Sequence, residues 1–221
     1  MSILQKITEQ IYPYMNEQGY NLSKKRFYKI HNDIAYCLEF DMPGRLVYAT
    51  YFVMPLYIPT QNRYYTYGNR VSSLRRSKLL PLSQNASDDE LTVWCKLLQH
   101  SLEKSIFPFF QKIDSPNKLA KVIEKRKNFV KRYLFCQPVQ LSRLQLFNYL
   151  YTEEFDKLHS LTKKYPLIIQ DSTCFTKTVR DSYLDENNFV MQLAKNDVHV
   201  AQAFISKTID DTIHNCFDSI R

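Results

Sequence analysis

The sequence predicts an α+β fold: a helix-flanked antiparallel sheet of three or four strands, followed by an all-helical C-terminal region. Three observations predict it. Between Arg26 and Tyr57 apolar residues recur with a period of two, the signature of strands. Before and after that stretch they recur at spacings of three and four, the signature of helices. All three glycines (Gly19, Gly44, Gly68) lie in the first third, so the remainder reads as long helices joined by short polar turns. On this division residues 1–113 form an α+β module, and residues 114–221 form a helical region of hairpin-like helices packed on or beside it.

Leu4, Ile7, Ile11, Tyr14 and Met15 share one face of a first helix that Ser2 can cap and Gly19 can end. Pro13 inside it removes a backbone donor and predicts a kink or a tightened turn. From Arg26 the period changes. Arg26 to His31 is a short strand, Asn32 and Asp33 are turn residues, and Ile34, Tyr36, Leu38 and Phe40 alternate with Ala35, Cys37, Glu39 and Asp41, which predicts a hairpin with one buried face. Met42 to Arg45 is the next turn. Leu46 to Tyr57 is a third strand, apolar on both faces, with Pro55 and Pro59 confined to an edge, a bulge or the chain beyond the pairing. Arg63 to Tyr67 is the candidate fourth strand.

Leu79 to Ala86 reads as a loop, and Ser87 with Glu90 three residues later is a capping box that starts a helix. Leu91, Trp94, Leu97, Leu98, Leu102 and Ile106 form its apolar face, and Pro108 should disturb or stop it. Trp94, the single tryptophan, reads as a core anchor against the sheet. Ser115 followed by Pro116 is a further start signal, and Leu119 to Leu134 carries an apolar stripe. Four more helical segments follow: Val139 to Tyr151, Glu153 to Tyr165, Phe175 to Lys195 and Asp197 to Ile220. The turn from Asn148 to Leu158 is similar to that of a tetratricopeptide-like pair. Without a period of about 34 residues, a generic helical hairpin is the better reading.

The helix from Ile7 to Gly19, the run Gly19-Tyr20 with Lys24-Lys25-Arg26-Phe27-Tyr28, the apolar strands and Tyr67-Gly68-Asn69-Arg70 together resemble an uncharacterised bacterial family, domain of unknown function 4304. The resemblance covers roughly residues 1–113. It implies a small module with helices packed on an antiparallel sheet, and it carries no catalytic residue over to this chain.

Hydrophobic residues at 44% and charged residues at 24% allow a real core and exclude wholesale disorder. Five cysteines (Cys37, Cys95, Cys136, Cys174, Cys216) lie far apart without a CxxC pair, which predicts reduced thiols. No basic-then-apolar segment opens the chain. The longest apolar run, Val47 to Ile58, is too short for a bilayer, so the expectation is a cytoplasmic protein without a membrane partner. Three glycines cannot assemble a GxxxxGK[ST] loop or a GxGxxG turn, and no nucleophile elbow or HExxH pair occurs. The five histidines are scattered, and the acidic pairs fit helix starts and polar faces. The reading is therefore a non-enzyme with no cofactor and no metal site.

Charge supplies the one strong local signal. The net charge is +8, and Lys112 to Arg132 holds eight basic residues against two acidic ones. On a basic helix spanning 117–135, Lys118, Lys121, Lys125 and Arg132 form a stripe flanked by Lys127 and Lys131. Arg70, Arg75 and Arg76 form a second group, with Tyr64, Tyr65 and Tyr67 close by. A solvated face is the plain reading of these groups; an acidic protein partner and nucleic acid are the functional ones. The expected function is protein–protein interaction, of which toxin neutralisation is one form, with nucleic-acid binding through the basic helix as the alternative.

Overall fold

The computed structural model describes residues 1–23, 26–60, 67–75, 77–125, 138–173, 175–195 and 198–217. They fall into two compact units, Met1–Met54 with Tyr64–Ser115 and Phe217–Arg221, and Pro55–Arg63 with Pro116–Cys216. The fold is α+β, an open antiparallel sheet followed by helices.

In the first unit, α1 (Ile3–Glu17) starts where Ser2 Oγ accepts from the Gln5 N–H at 3.3 Å. Ile7, Ile11 and Met15 are fully buried along one face, and the helix runs through Pro13 without interruption. It ends at Gly19, whose φ of 76° is open to glycine; the Gly19 N–H reaches Asn16 O and the Tyr20 N–H reaches Met15 O, which satisfies two terminal carbonyls.

The strands are β1 (Asn21–Ser23), β2 (Arg26–His31), β3 (Ile34–Asp41), β4 (Leu46–Pro55), β5 (Tyr67–Arg70) and β6 (Leu82–Ser83). Their order is β1-β2-β3-β4-β5, with β6 paired to the start of β4. The predicted β2–β3 hairpin forms, and Asn32 and Asp33 take φ of 48° and 59°, the two left-handed positions of a tight two-residue turn. The strand count exceeds the expected three or four. β1 and β6 have only three and two residues, too few to display a period, and they owe their conformation to their partners. The candidate fourth strand occurs as β5, starting at Tyr67 rather than Arg63, and residues 61–66 lie outside the described residues. β3 is buried on both faces rather than one, and β4 ends at Pro55, which has no N–H to continue a ladder.

Directly paired residues share a sheet face, so Phe27, Lys29 and His31 of β2 lie beside Leu38, Tyr36 and Ile34 of β3. Helices cover this face. Phe27 meets Tyr12 of α1 at 6.5 Å, and Phe40 meets Trp94 of α2 (Asp88–Ser101) edge-on at 6.1 Å. Trp94 is the expected anchor: it is buried, and its indole N–H donates to Leu80 O at 2.7 Å. Sealing one such side chain contributes roughly 2–3 kcal/mol. The capping box that starts α2 is complete, with Ser87 Oγ accepting from the Glu90 N–H and Glu90 Oε2 from the Ser87 N–H.

Pro108 does not stop the helix. The chain passes from α2 into one π turn, Leu102–Ile106, and then into α3 (Phe107–Lys112), with the proline in its first turn, where a missing N–H costs nothing. On the other sheet face Phe217 lies 4.8 Å from Tyr28.

The second unit comprises α4 (Pro116–Lys125), α5 (Pro138–Tyr151), α6 (Phe155–Gln170), α7 (Lys177–Leu193) and α8 (Val198–Cys216), with the segment Pro55–Arg63. α5 is covered on nearly every face, burying Val139, Leu144, Leu146, Phe147 and Leu150 together with polar Ser142 and Asn148, as a central helix must. It packs on α6 and α6 on α7; Glu153 takes a φ of 58° in the α5–α6 turn, forming the predicted helical hairpin. Tyr57 is fully buried, its hydroxyl donates to Asn148 Oδ1 and its ring rests on Tyr151 at 4.6 Å. Arg143 grips both carboxylate oxygens of Glu186 at 2.6 and 2.7 Å and donates to Pro59 O at 2.9 Å.

Among the described residues no helix is long and apolar enough to cross a membrane.

Candidate functional site

A cleft of about 400 Å³ opens on the helix-covered side of the first unit. Four local events build it. The Gly19 stop turns the chain so that Gln18 and Tyr20 line one end. The period of β2 puts Lys29 and His31 on the face that Phe27 buries, and strand register sets Tyr36 opposite Lys29. The π turn fixes the phase of α3, so that Phe107, Phe110 and Gln111, with Asp114 beyond, line the remaining wall. Their spacing of three, four and seven is that of one helical face.

The wall is aromatic. Tyr20 stacks on Phe107 at 5.7 Å and Tyr36 meets Phe110 at 5.1 Å. Burial drives the phenols of Tyr20 and Tyr36 far above the usual tyrosine range, and the Asp114 carboxylate adds to the effect on Tyr36. Both stay protonated, and the Tyr36 hydroxyl donates to Ile113 O at 3.1 Å.

The polar groups are fixed by local contacts. Lys29 Nζ donates to Gln18 O at 3.0 Å and stands 6.0 Å from the Tyr20 ring centroid, which places its charge at the negative end of the α1 dipole. The Asn32 amide nitrogen lies 3.0 Å from Asp114 O and 3.0 Å from His31 Nε2. Donating to both, it makes Nε2 an acceptor and leaves the His31 proton on Nδ1. The result is a half-open aromatic hollow lined by an ammonium and an imidazole on one strand and by Asp114 after α3.

The basic residues singled out in the sequence lie elsewhere. Arg70 ends β5, where it pairs with Asp41 at 3.4 Å and stacks 3.8 Å from the centre of the Tyr48 ring, so much of its binding capacity is engaged. Arg75 is exposed in the turn that follows. Lys118 and Lys121 are exposed on α4, opposite buried Leu119 and Ala120. Lys125 ends α4; Lys127, Lys131, Arg132 and Arg76 lie outside the described residues. The arginines and the lysines fall in different units.

Sequence reasoning missed the cleft. Two signals point to it: polar Lys29 and His31 on an otherwise apolar strand face, and the helical spacing of Phe107, Phe110, Gln111 and Asp114. Of the thiols, Cys37, Cys95 and Cys216 are buried and unbridged, and Cys136 and Cys174 lie outside the described residues. Among the described residues no three histidine, cysteine or acidic side chains converge as a metal site would need. No family model, no curated protein and no solved structure matches this chain, so the resemblance of residues 1–113 rests on its motifs alone.

Proposed function

We propose that the protein is a non-enzymatic interaction protein of the cytoplasm, and that the cleft beside β2 receives part of a partner protein. One observation carries the reading: about 400 Å³ of aromatic-walled space is lined by an ammonium held by Gln18 O, an imidazole held by the Asn32 amide, and Asp114. That size and mix suit a bound side chain or chain end. Among the described residues the lining carries no serine, threonine or cysteine that could serve as a nucleophile, and its two phenols stay neutral, which favours binding over chemistry. The buried thiols Cys37, Cys95 and Cys216 support a reducing compartment. The relation of residues 1–113 to domain of unknown function 4304 belongs to the same proposal and brings no activity with it.

The test is comparative capture from the source cells. Gln111 is exposed on α3 at the mouth of the cleft, so Gln111→Trp fills the cleft without touching the core. A stoichiometric companion should come down with the unaltered protein and be lost with Gln111→Trp at unchanged circular dichroism. The same companion with both proteins, or none with either, would refute the proposal.

Nucleic-acid binding through residues 117–135 is the second reading, favoured by the exposure of Lys118 and Lys121 on α4. Affinity for DNA or RNA should then fall steeply with salt, by a log–log slope of about −5 for six phosphate contacts. Reversing Lys121, Lys125 and Arg132 to Glu should abolish it, and no binding at low salt would sink it.

A further inference from the structure

We infer that the cleft recognises a C-terminal aromatic residue, its carboxylate on Lys29 and its ring against the Tyr20, Tyr36 and Phe110 walls. The inference rests on the cleft being the partner site and names what the partner presents there.

Donor capacity comes first. An ammonium has three N–H donors, and among the described residues Gln18 O is the one hydrogen-bond acceptor found for Lys29. Two donors therefore remain for a ligand, on a side chain already held in place, so little further rotamer freedom is lost on binding. Lys29 is exposed at the cleft while its neighbour Phe27 on the same face is fully buried. The position thus combines a charge that water reaches with a wall that water does not. A carboxylate on the ammonium gains a charge-assisted pair, and the adjoining ring is removed from water.

A second charge on the lining supplies the second constraint. Asp114 would repel an anion placed beside it, so the carboxylate belongs at the Lys29 end and an N–H donor at the Asp114 end. A chain terminus has that polarity: its carboxylate is followed, one residue back along the chain, by peptide N–H groups. The His31 Nδ1–H, left by the bond between Nε2 and Asn32, is a further donor from the Lys29 strand. Space is the third constraint. About 400 Å³ holds one aromatic residue with its carboxylate and part of the residue before it, and excludes a folded surface or a duplex.

The test uses three short probes titrated by calorimetry: acetyl-Gly-Gly-Phe as the free acid, the same peptide as its C-terminal amide, and acetyl-Gly-Gly-Ala as the free acid. The Phe acid should bind at least tenfold more tightly than either of the others. Lys29→Met keeps the length of the side chain but not its charge, and should bring the acid down to the level of the amide; Lys29→Arg should preserve the preference. Equal affinity for acid and amide, a preference that survives Lys29→Met, or no binding of any probe would each overturn the inference. Those results leave cleft-dependent capture standing if Gln111→Trp still loses the companion. Failure of that capture, with the probes still discriminated, would instead remove the protein-partner reading and keep the carboxylate site.

Discussion

Replacing Gly68 by alanine should be among the most damaging single changes in the sheet. β5 runs so close to β4 here that a Cβ on residue 68 would lie 2.0 Å from Tyr51 O and 2.5 Å from Phe52 Cα and Cβ, where ordinary contact begins at 3.4 Å. The backbone does not have the positive φ of Gly19 or Gly44, so alanine is refused for want of space and not for conformation. To relieve the overlap the strands must part by more than an ångström. Backbone bonds have their optimum near 2.9 Å and little strength much beyond 3.2 Å, so the Phe52–Gly68 pairing breaks rather than stretches. β5 ends the sheet and has only four residues, so the disturbance spreads to Tyr67, 2% exposed, and Val71, 0% exposed. Partial exposure of those two side chains costs roughly 2 kcal/mol, and two lost backbone bonds add about 1 kcal/mol each. The expected loss is therefore about 3–5 kcal/mol, a large share of the roughly 5–15 kcal/mol that holds a typical domain folded. Urea denaturation followed by circular dichroism measures it as a shift in midpoint. Asn69→Ala, beside it on the same strand, is the control and should lose about 1 kcal/mol at most. If Gly68→Ala falls within about 1 kcal/mol of the unaltered protein, the close-approach argument is wrong.

Three further expectations follow from particular contacts. The bidentate Arg143–Glu186 pair has side chains only 16% and 19% exposed, so a double-mutant cycle with Arg143→Met and Glu186→Gln should give a coupling of about 1.5–3 kcal/mol that survives high salt; less than about 0.5 kcal/mol would make it an ordinary surface pair. Burial raises the Cys95 thiol from 9.0 to about 11. Between those values the unfolded chain ionises while the folded thiol keeps its proton, so stability falls as pH rises, by about 1.4 kcal/mol near pH 10. The stability gap between the unaltered protein and Cys95→Ala should shrink by that amount from about pH 8 to about pH 10, and a gap independent of pH would refute the assignment. Asp33 occupies a left-handed turn position at φ 59°, so Asp33→Gly should raise the denaturation midpoint by the equivalent of about 0.5–1 kcal/mol; a fall would show that the aspartate side chain outweighs its backbone strain.

Which features could be read from the sequence depended on how local their causes are. The starts of α1 and α2 were legible because Ser2, Ser87 and Glu90 act within four residues of the groups they satisfy. The β2–β3 hairpin was legible for the same reason, its turn being two residues long. β6 was not, because Leu82 is extended only through pairing with Val47, which no local pattern records. The stretch from Pro55 to Tyr57 reads as the end of the third strand, yet the chain after Met54 belongs to the helical unit, where Tyr57 finds Asn148. Only an apolar period is visible in sequence, and a strand core and a helix bundle bury the same residues. Charge was legible as composition and not as availability: Arg70 counts the same in the sequence whether it is unengaged or held between Asp41 and Tyr48.

The cleft could not have been read from any one of its walls, and the π turn explains why. A π turn carries one residue more than an α turn, which rotates all that follows by about 100°. Extending the apolar face of α2 from Leu98 and Leu102 with α-helical periodicity puts position 109 under the helix; with the extra residue it is Phe110 that is buried, 6% exposed. Phe110 then meets Tyr36, and Ile113 O receives its hydroxyl. With Tyr36 fixed, strand register fixes Lys29, and Lys29 in turn holds Gln18 at the end of α1. The chain of contacts runs from one irregular helical turn, through a cross-strand pair, to a helix C-terminus nearly ninety positions upstream. A periodic scan averages over that turn and loses its phase. The π turn thus sets the phase of the α3 wall without lining the cleft itself, in keeping with the frequent occurrence of π turns at functional sites.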